Sequence, residues 1–170
     1  MARDFSAQLA GQIGEALVVA ELGRRDIIAT AFSGNVPDID ILAYKNGISL
    51  AVQVKAWRSG SVSFNARRFL NIDQSGDVQT IIAPQKLDPN LIYIFVMIGS
   101  KGIRDRFFIL TQGELQSLIE SGYGSFLGKH NGVRPKNSET THTAISLIDL
   151  DGHEDEWGKI SSRFSVEVST

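Results

Sequence analysis

The sequence predicts an α/β domain with a mixed central β-sheet flanked by helices, and three observations lead there. Apolar residues recur at three- and four-residue spacing between Ser6 and Arg24, as in a helix. Two runs that alternate in polarity, Asp38 to Tyr44 and Ile48 to Trp57, flank Lys45-Asn46-Gly47. Leu91 to Ile98 is a continuous apolar run of the kind that fills a buried central strand.

In the opening helix Leu9, Ile13, Ala16 and Ala20 form one stripe, which Leu17 extends. Gln8, Gln12, Glu15 and Val19 form a neighbouring stripe. Residues 16–20 are apolar nearly all round, so the helix packs on more than one side and Glu15 points along a protein surface or cleft edge. Ile27 to Phe32 is a short strand, followed by a Ser33-Gly34-Asn35 loop in which small residues let the backbone approach a site.

Asn-Gly between alternating runs is the strongest short-range hairpin signal, because both residues tolerate the positive φ of a type I′ turn. In the second strand Ile48, Leu50, Val52, Val54 and Ala56 share the core face, and Ser49, Ala51, Gln53, Lys55 and Trp57 share the other. A two-residue turn pairs Lys45 with Ile48, and continuing that register sets Asp40 opposite Gln53 and Asp38 opposite Lys55. Directly opposed side chains have Cβ atoms about 4.5–5.5 Å apart, so two carboxylates, an amide and an ammonium gather on one patch. A slip of one residue would disperse them.

Further along, residues 60–64 read as a short extended piece and 65–72 as a short helix. Arg106 to Leu110 is a strand, and Thr111-Gln112-Gly113-Glu114 is a capping box opening a helix that runs to about Glu120. Residues 122–143, polar and rich in Gly and Asn, read as a long loop. Thr143 to Asp149 is a strand, and Glu154 to Phe164 a last helix. No internal repeat or domain boundary is evident, so residues 1–170 read as one domain, with a core over about 6–121 and an extension over 122–170.

Composition narrows the chemistry. The absence of cysteine excludes disulfides, thiolate zinc sites and cysteine nucleophiles. His130, His142 and His153 lack the close pairing of a histidine metal motif. No apolar run reaches the ~18 residues of a membrane span, and the N-terminus lacks a signal-peptide pattern, so the expectation is a cytoplasmic protein with no membrane role. Net charge is −2, but residues 1–136 carry 15 Lys and Arg against 12 Asp and Glu, whereas residues 137–170 carry 2 against 7. A mildly basic body with an acidic tail region is compatible with a local phosphate-binding face, although it does not require one.

The ordered set Gly11-Gln12-Ile13-Gly14-Glu15 on a helix, Pro37-Asp38-Ile39-Asp40 on a strand and Gln53-Val54-Lys55 on the next resembles the PD-(D/E)XK, or restriction-endonuclease-like, nucleases. The closest pattern is that of their Holliday-junction-resolvase-like branch, and it covers roughly residues 6–58. The resemblance implies a restriction-endonuclease-like core and a DNA endonuclease of restriction, repair or junction-resolvase type, dependent on Mg²⁺ or Mn²⁺. It assigns metal binding to Asp40, Gln53, the Val54 carbonyl and Glu15, with Asp38 as the alternative to Asp40. It gives Lys55 the role of orienting the attacking water or countering negative charge in the transition state. Gln53 departs from the family's usual acidic residue and brings no negative charge to the metal, which leaves a second reading: a catalytically weak relative that binds DNA or another protein. Cutting both strands of a duplex usually takes a dimer, so the family adds a homodimer to the expectation. DNA contacts fall to Trp57, Arg58, Arg67 and Arg68 after the motif and to Lys129 and Arg134 in the long loop, where cations meet phosphates and an aromatic stacks on a base.

Overall fold

In the structure, a computed structural model that describes residues 6–32, 37–101 and 103–165, Asn46 and Gly47 adopt φ of 54° and 82°. That type I′ geometry joins β2 (Ile41–Lys45) to β3 (Ile48–Trp57) in the register the turn dictates, from Lys45 opposite Ile48 to Ile41 opposite Val52. β1 (Ile28–Ala31) pairs antiparallel with β2, and β7 (Leu91–Met97) lies parallel to β3 and antiparallel to β8 (Arg106–Thr111). The result is a five-stranded mixed sheet in the order β1-β2-β3-β7-β8. The Ser33-Gly34-Asn35 loop lies outside the described residues.

Two cores sandwich this sheet. On one face Leu50, Val52 and Val54 of β3 and Ile92, Ile94 and Val96 of β7 pack against α1 (Ser6–Gly23), and Trp157, Ile160 and Phe164 complete that cluster. On the other face Trp57, Tyr93, Phe95, Phe108 and Leu110 pack against Leu115, Ile119, Tyr123 and Leu127 of α2 (Gln112–Lys129). Each fully buried aliphatic or aromatic side chain contributes about 1.5–3 kcal/mol, so both layers are integral to stability. Among the described residues no helix is long and apolar enough to cross a membrane.

Several elements differ from the sequence expectation. The buried face of α1 is Ala10, Gly14, Val18 and Leu22, whereas Leu9, Ala16 and Ala20 are exposed. Small residues prevail over the larger apolar ones because the helix lies against β3: a Cβ on Gly14 would stand 2.4 Å from the Ala56 Cβ and 3.3 Å from Val54 Cγ1. α2 continues to Lys129, through the boundary drawn at 121/122 and through Gly122, Gly124 and Gly128. Burial of Tyr123 and Leu127, in line with Leu115 and Ile119 at four-residue spacing, outweighs the ~1 kcal/mol that each glycine costs a helix. Its N-terminus carries the expected capping box between Thr111 and Glu114.

The helix read over 65–72 is a single 3₁₀ turn, Ala66–Arg68, capped by Asn65. It leads into β5 (Leu70–Ser75), which forms a separate hairpin with β6 (Val78–Pro84). β4 (Ser61–Asn65) pairs with β9 (His142–Ser146), and the last helix shortens to α3 (Gly158–Ser161) and a 3₁₀ turn. The C-terminal quarter therefore closes both cores and is no appendage.

Gly14→Ala tests the α1–β3 contact. Alanine is the better helix former by about 1 kcal/mol, yet the new Cβ meets a short side chain that cannot swing away. The expected result is a net loss of stability, within the ~1–3 kcal/mol typical of overpacking, measured by denaturant unfolding.

Candidate active site

β2 leaves the sheet at its N-terminal end. Past Ile41 the ladder stops: the Asp40 amide donates to the Val52 carbonyl at 2.9 Å, and the Asp40 carboxylate accepts the Val54 amide at 2.7 Å. Asp40 thus does not sit in a ladder position opposite Gln53; its side chain takes the place of a strand as the partner of Val54. In extended backbone the N–H and C=O of one residue point toward the same neighbour, so the Val54 carbonyl faces the same gap. Asp38 is displaced further. It occupies a turn with φ of 66° and forms an ion pair with Arg68, so the expected opposition to Lys55 does not form.

Glu15 follows Gly14 on α1, and its carboxyl titrates above the ordinary range because burial disfavours the charge and the Asp40 carboxylate repels it. The two carboxylates therefore share one electrostatic neighbourhood, although α1 packs on the face of β3 opposite to the Gln53 and Lys55 side chains.

On the other face Gln53 is only 6% exposed, and among the described residues its amide has no hydrogen-bond partner. Its amide atoms are not sealed from solvent, so they remain free to meet a water or a ligand. Lys55, two residues on, is half-buried, and its ammonium likewise forms no ion pair among the described residues. Tyr93, the parallel partner of Gln53 on β7, is buried, and burial raises its phenol; the Arg68 guanidinium opposes that shift and the Asp40 carboxylate adds to it. Tyr93 and Arg68 therefore belong to the same neighbourhood. The sequence hid Tyr93 inside the apolar run, where its hydroxyl was the sole signal.

A cleft of about 440 Å³ borders this group, lined by Asp38, Arg68, Phe69, Lys86 and Tyr93 among others. Nothing from residues 122–143 lines it. Of the expected DNA contacts, Trp57 is a core residue, 7% exposed and packed on Phe95 and Phe108, and is removed from any surface role. Arg67 donates to the Ile72 carbonyl at 2.6 Å, Arg58 and Lys129 are exposed, and Arg134 lies over the rings of Tyr123 and Phe126.

Among the described residues no three His, Cys, Asp or Glu side chains gather as a metal cluster. The oxygen donors at hand are two carboxylates, one amide and one backbone carbonyl. Mg²⁺ is suited to such a set, since it takes one or two carboxylates and retains several waters.

Neither a protein-family model nor a curated protein sequence matches the chain. Among solved structures it is similar to a bacterial homing endonuclease, I-Ssp6803I, with a TM-score of 0.54 at 13% identity, over 97% of this chain and 99% of that one. The likeness is one of fold: the chain has a nuclease-like α/β architecture with a mixed central sheet flanked by helices.

The raised Glu15 carboxyl makes a prediction with a definite sign. A carboxyl whose folded pKa exceeds its unfolded value favours the fold when protonated, and that contribution is lost as pH rises through the folded value. In metal-free buffer Glu15→Gln should unfold at a higher temperature than the parent at neutral pH, and the difference should vanish below the ordinary glutamate range. Thermal melts between pH 4 and 8 check this, and Mg²⁺ should narrow the gap at neutral pH by stabilising only the parent.

Proposed function

We propose that the protein is a metal-dependent DNA endonuclease with a PD-(D/E)XK-type site. The observation that carries the reading is the electrostatic coupling of Glu15 to Asp40, whose carboxylate takes the place of a strand as the partner of Val54, between Gln53 and Lys55 on β3. The nuclease-like fold supports it. Glu15, Asp40, Gln53 and the Val54 carbonyl would hold a Mg²⁺ or Mn²⁺ ion. When bound, the metal supplies positive charge that polarises a phosphodiester and makes water a better nucleophile near neutral pH.

The protein's own groups do the rest. Asp40 is anchored by the Val54 amide, so its free oxygen is held in place rather than sampling rotamers. Lys55 stands on the rigid central strand, where its ammonium counters the negative charge that builds on phosphorus as water adds and the ester P–O bond breaks. Asp38, paired to Arg68, serves to position that arginine and is not a ligand. Arg68 and Lys86 in the adjoining cleft offer contacts to DNA phosphates. A homodimer that cuts both strands would find exposed apolar surface at Ile28, Leu42 and Tyr44 on the uncovered face of β1 and β2.

A second reading, a DNA- or protein-binding relative with little catalytic power, is favoured by one observation: an amide stands where a third charge would strengthen the site. Two variants separate the readings. Lys55→Ala should lower cleavage of duplex or branched DNA by about 10²–10³ while leaving DNA affinity nearly intact, because one ammonium among several phosphate contacts adds little to binding. Gln53→Glu should tighten Mg²⁺ and hold or raise the rate. A parent that binds DNA without cutting any tested structure in Mg²⁺ or Mn²⁺ would select the binding module.

A further inference from the structure

The β5–β6 hairpin takes no part in the central sheet, and its two faces differ in kind. The inner face is fixed. Leu70 and Ile72 enter the core under α2, and Gln79, 2% exposed, is bound by the Tyr123 hydroxyl and by the carbonyls of Ser138 and Thr140. Gly132 lets the 130–141 segment close on it: a Cβ there would meet Val78 Cγ1 at 2.7 Å, at a φ of +79°. The root is equally fixed, since the Gln116 amide donates to the carbonyls of Phe69 and Gln85 at 2.7 and 2.9 Å.

The outer face is uncovered. Asn71, Asp73, Ser75, Thr80 and Ile82 are all exposed there, with Asp73 directly opposite Thr80, while Val78, opposite Ser75, lies against Gly132 and bridges to Val133. Among the described residues the side chains of Asp73, Ser75 and Thr80 form no hydrogen bond. A rigid ribbon that presents exposed, short hydrogen-bonding side chains interleaved with a branched aliphatic one, with Arg67 beside Asn71, Asp73 and Ile82 as its one cation, carries little charge with which to hold phosphate. It matches base edges: Asn pairs with adenine, a carboxylate accepts from the cytosine amino group, hydroxyls serve either, and aliphatic side chains pack on the thymine methyl.

We propose that this ribbon reads DNA sequence from the major groove. The proposal rests on the nuclease reading and extends it to specificity, with Asp73 and Thr80 as the central reading pair. The major groove, about 12 Å wide, admits a two-stranded ribbon. A six-residue strand spans about 20 Å, or roughly six base steps at 3.4 Å each. The hairpin is rooted at the candidate cleft, which Arg68, Phe69 and Lys86 line, so its reach sets the bases read a few pairs to one side of the bond cut. Cations stand at both ends of the ribbon, Arg68 and Lys86 at the root and Lys136 near the tip beside Asp77, where the phosphates that flank the groove would lie, while Arg67 borders the face itself.

The test is a selection from a randomised duplex library by the full chain, in Ca²⁺ to allow binding without cleavage, followed by cleavage of the selected duplexes in Mg²⁺. The parent should enrich a motif of about four to six base pairs. Asp73→Ala and Thr80→Ala, checked for an unchanged melting temperature, should each relax preference at one or two neighbouring positions by about 5- to 150-fold. Lys55→Ala should keep the parent's motif. Variants that return the parent's motif, or a parent that cleaves every sequence equally, would overturn the ribbon as reader and leave the nuclease standing. A parent that neither enriches nor cuts DNA would remove both, and would turn the exposed face toward a protein partner.

Discussion

The hydrogen bond from the Val54 amide to the Asp40 carboxylate occupies the position of a β-ladder bond, and the site depends on that exchange. A hydrogen bond to a charged group contributes about 1.5–3 kcal/mol, enough to hold the strand amide after β2 has turned away. Because a side chain rather than a strand completes the pairing, the sheet opens beside β3 without leaving that amide unpaired. Asp40 is fixed at the edge of the opening, the Val54 carbonyl faces the same gap, and the Asp40 carboxylate acts electrostatically on Glu15. The departure of β2 is itself local: Asp38 sits in left-handed backbone, and its carboxylate is drawn to Arg68 instead of continuing the strand.

Two close contacts set the electrostatics. Gly14 brings α1 against Ala56 and Val54, which carries the neighbouring Glu15 into the field of Asp40. The parallel pairing of β3 with β7 places Tyr93 beside Gln53, in a buried environment that Arg68 and Asp40 both influence. The repulsion between the Glu15 and Asp40 carboxylates disfavours holding both charged.

Much of this was legible in the residues. Asn46-Gly47 fixed the hairpin register through Ile41 and Val52, and Thr111 with Glu114 marked the start of α2. What failed is instructive. The alternation from Asp38 to Tyr44 read as one strand because polarity alternates alike in a strand and in the turn before it; only the positive φ of Asp38 distinguishes them. Trp57 alternated onto the polar face, yet β4, β7 and β8 cover that face at its position and bury it. Three glycines and a polar composition concealed the second half of α2, although Leu115, Ile119, Tyr123 and Leu127 already lay in line. The β5–β6 hairpin lacks a strong apolar alternation because its outer face is polar and its inner face buries a glutamine, Gln79.

The central claim is that these residues form one cation site, and the most direct measurement is anomalous diffraction from crystals soaked in Mn²⁺. The account predicts a single strong peak within bonding distance of oxygens of Glu15, Asp40, Gln53 and the Val54 carbonyl. Manganese bound only elsewhere, or Glu15 and Gln53 turned away from a peak at Asp40, would contradict it.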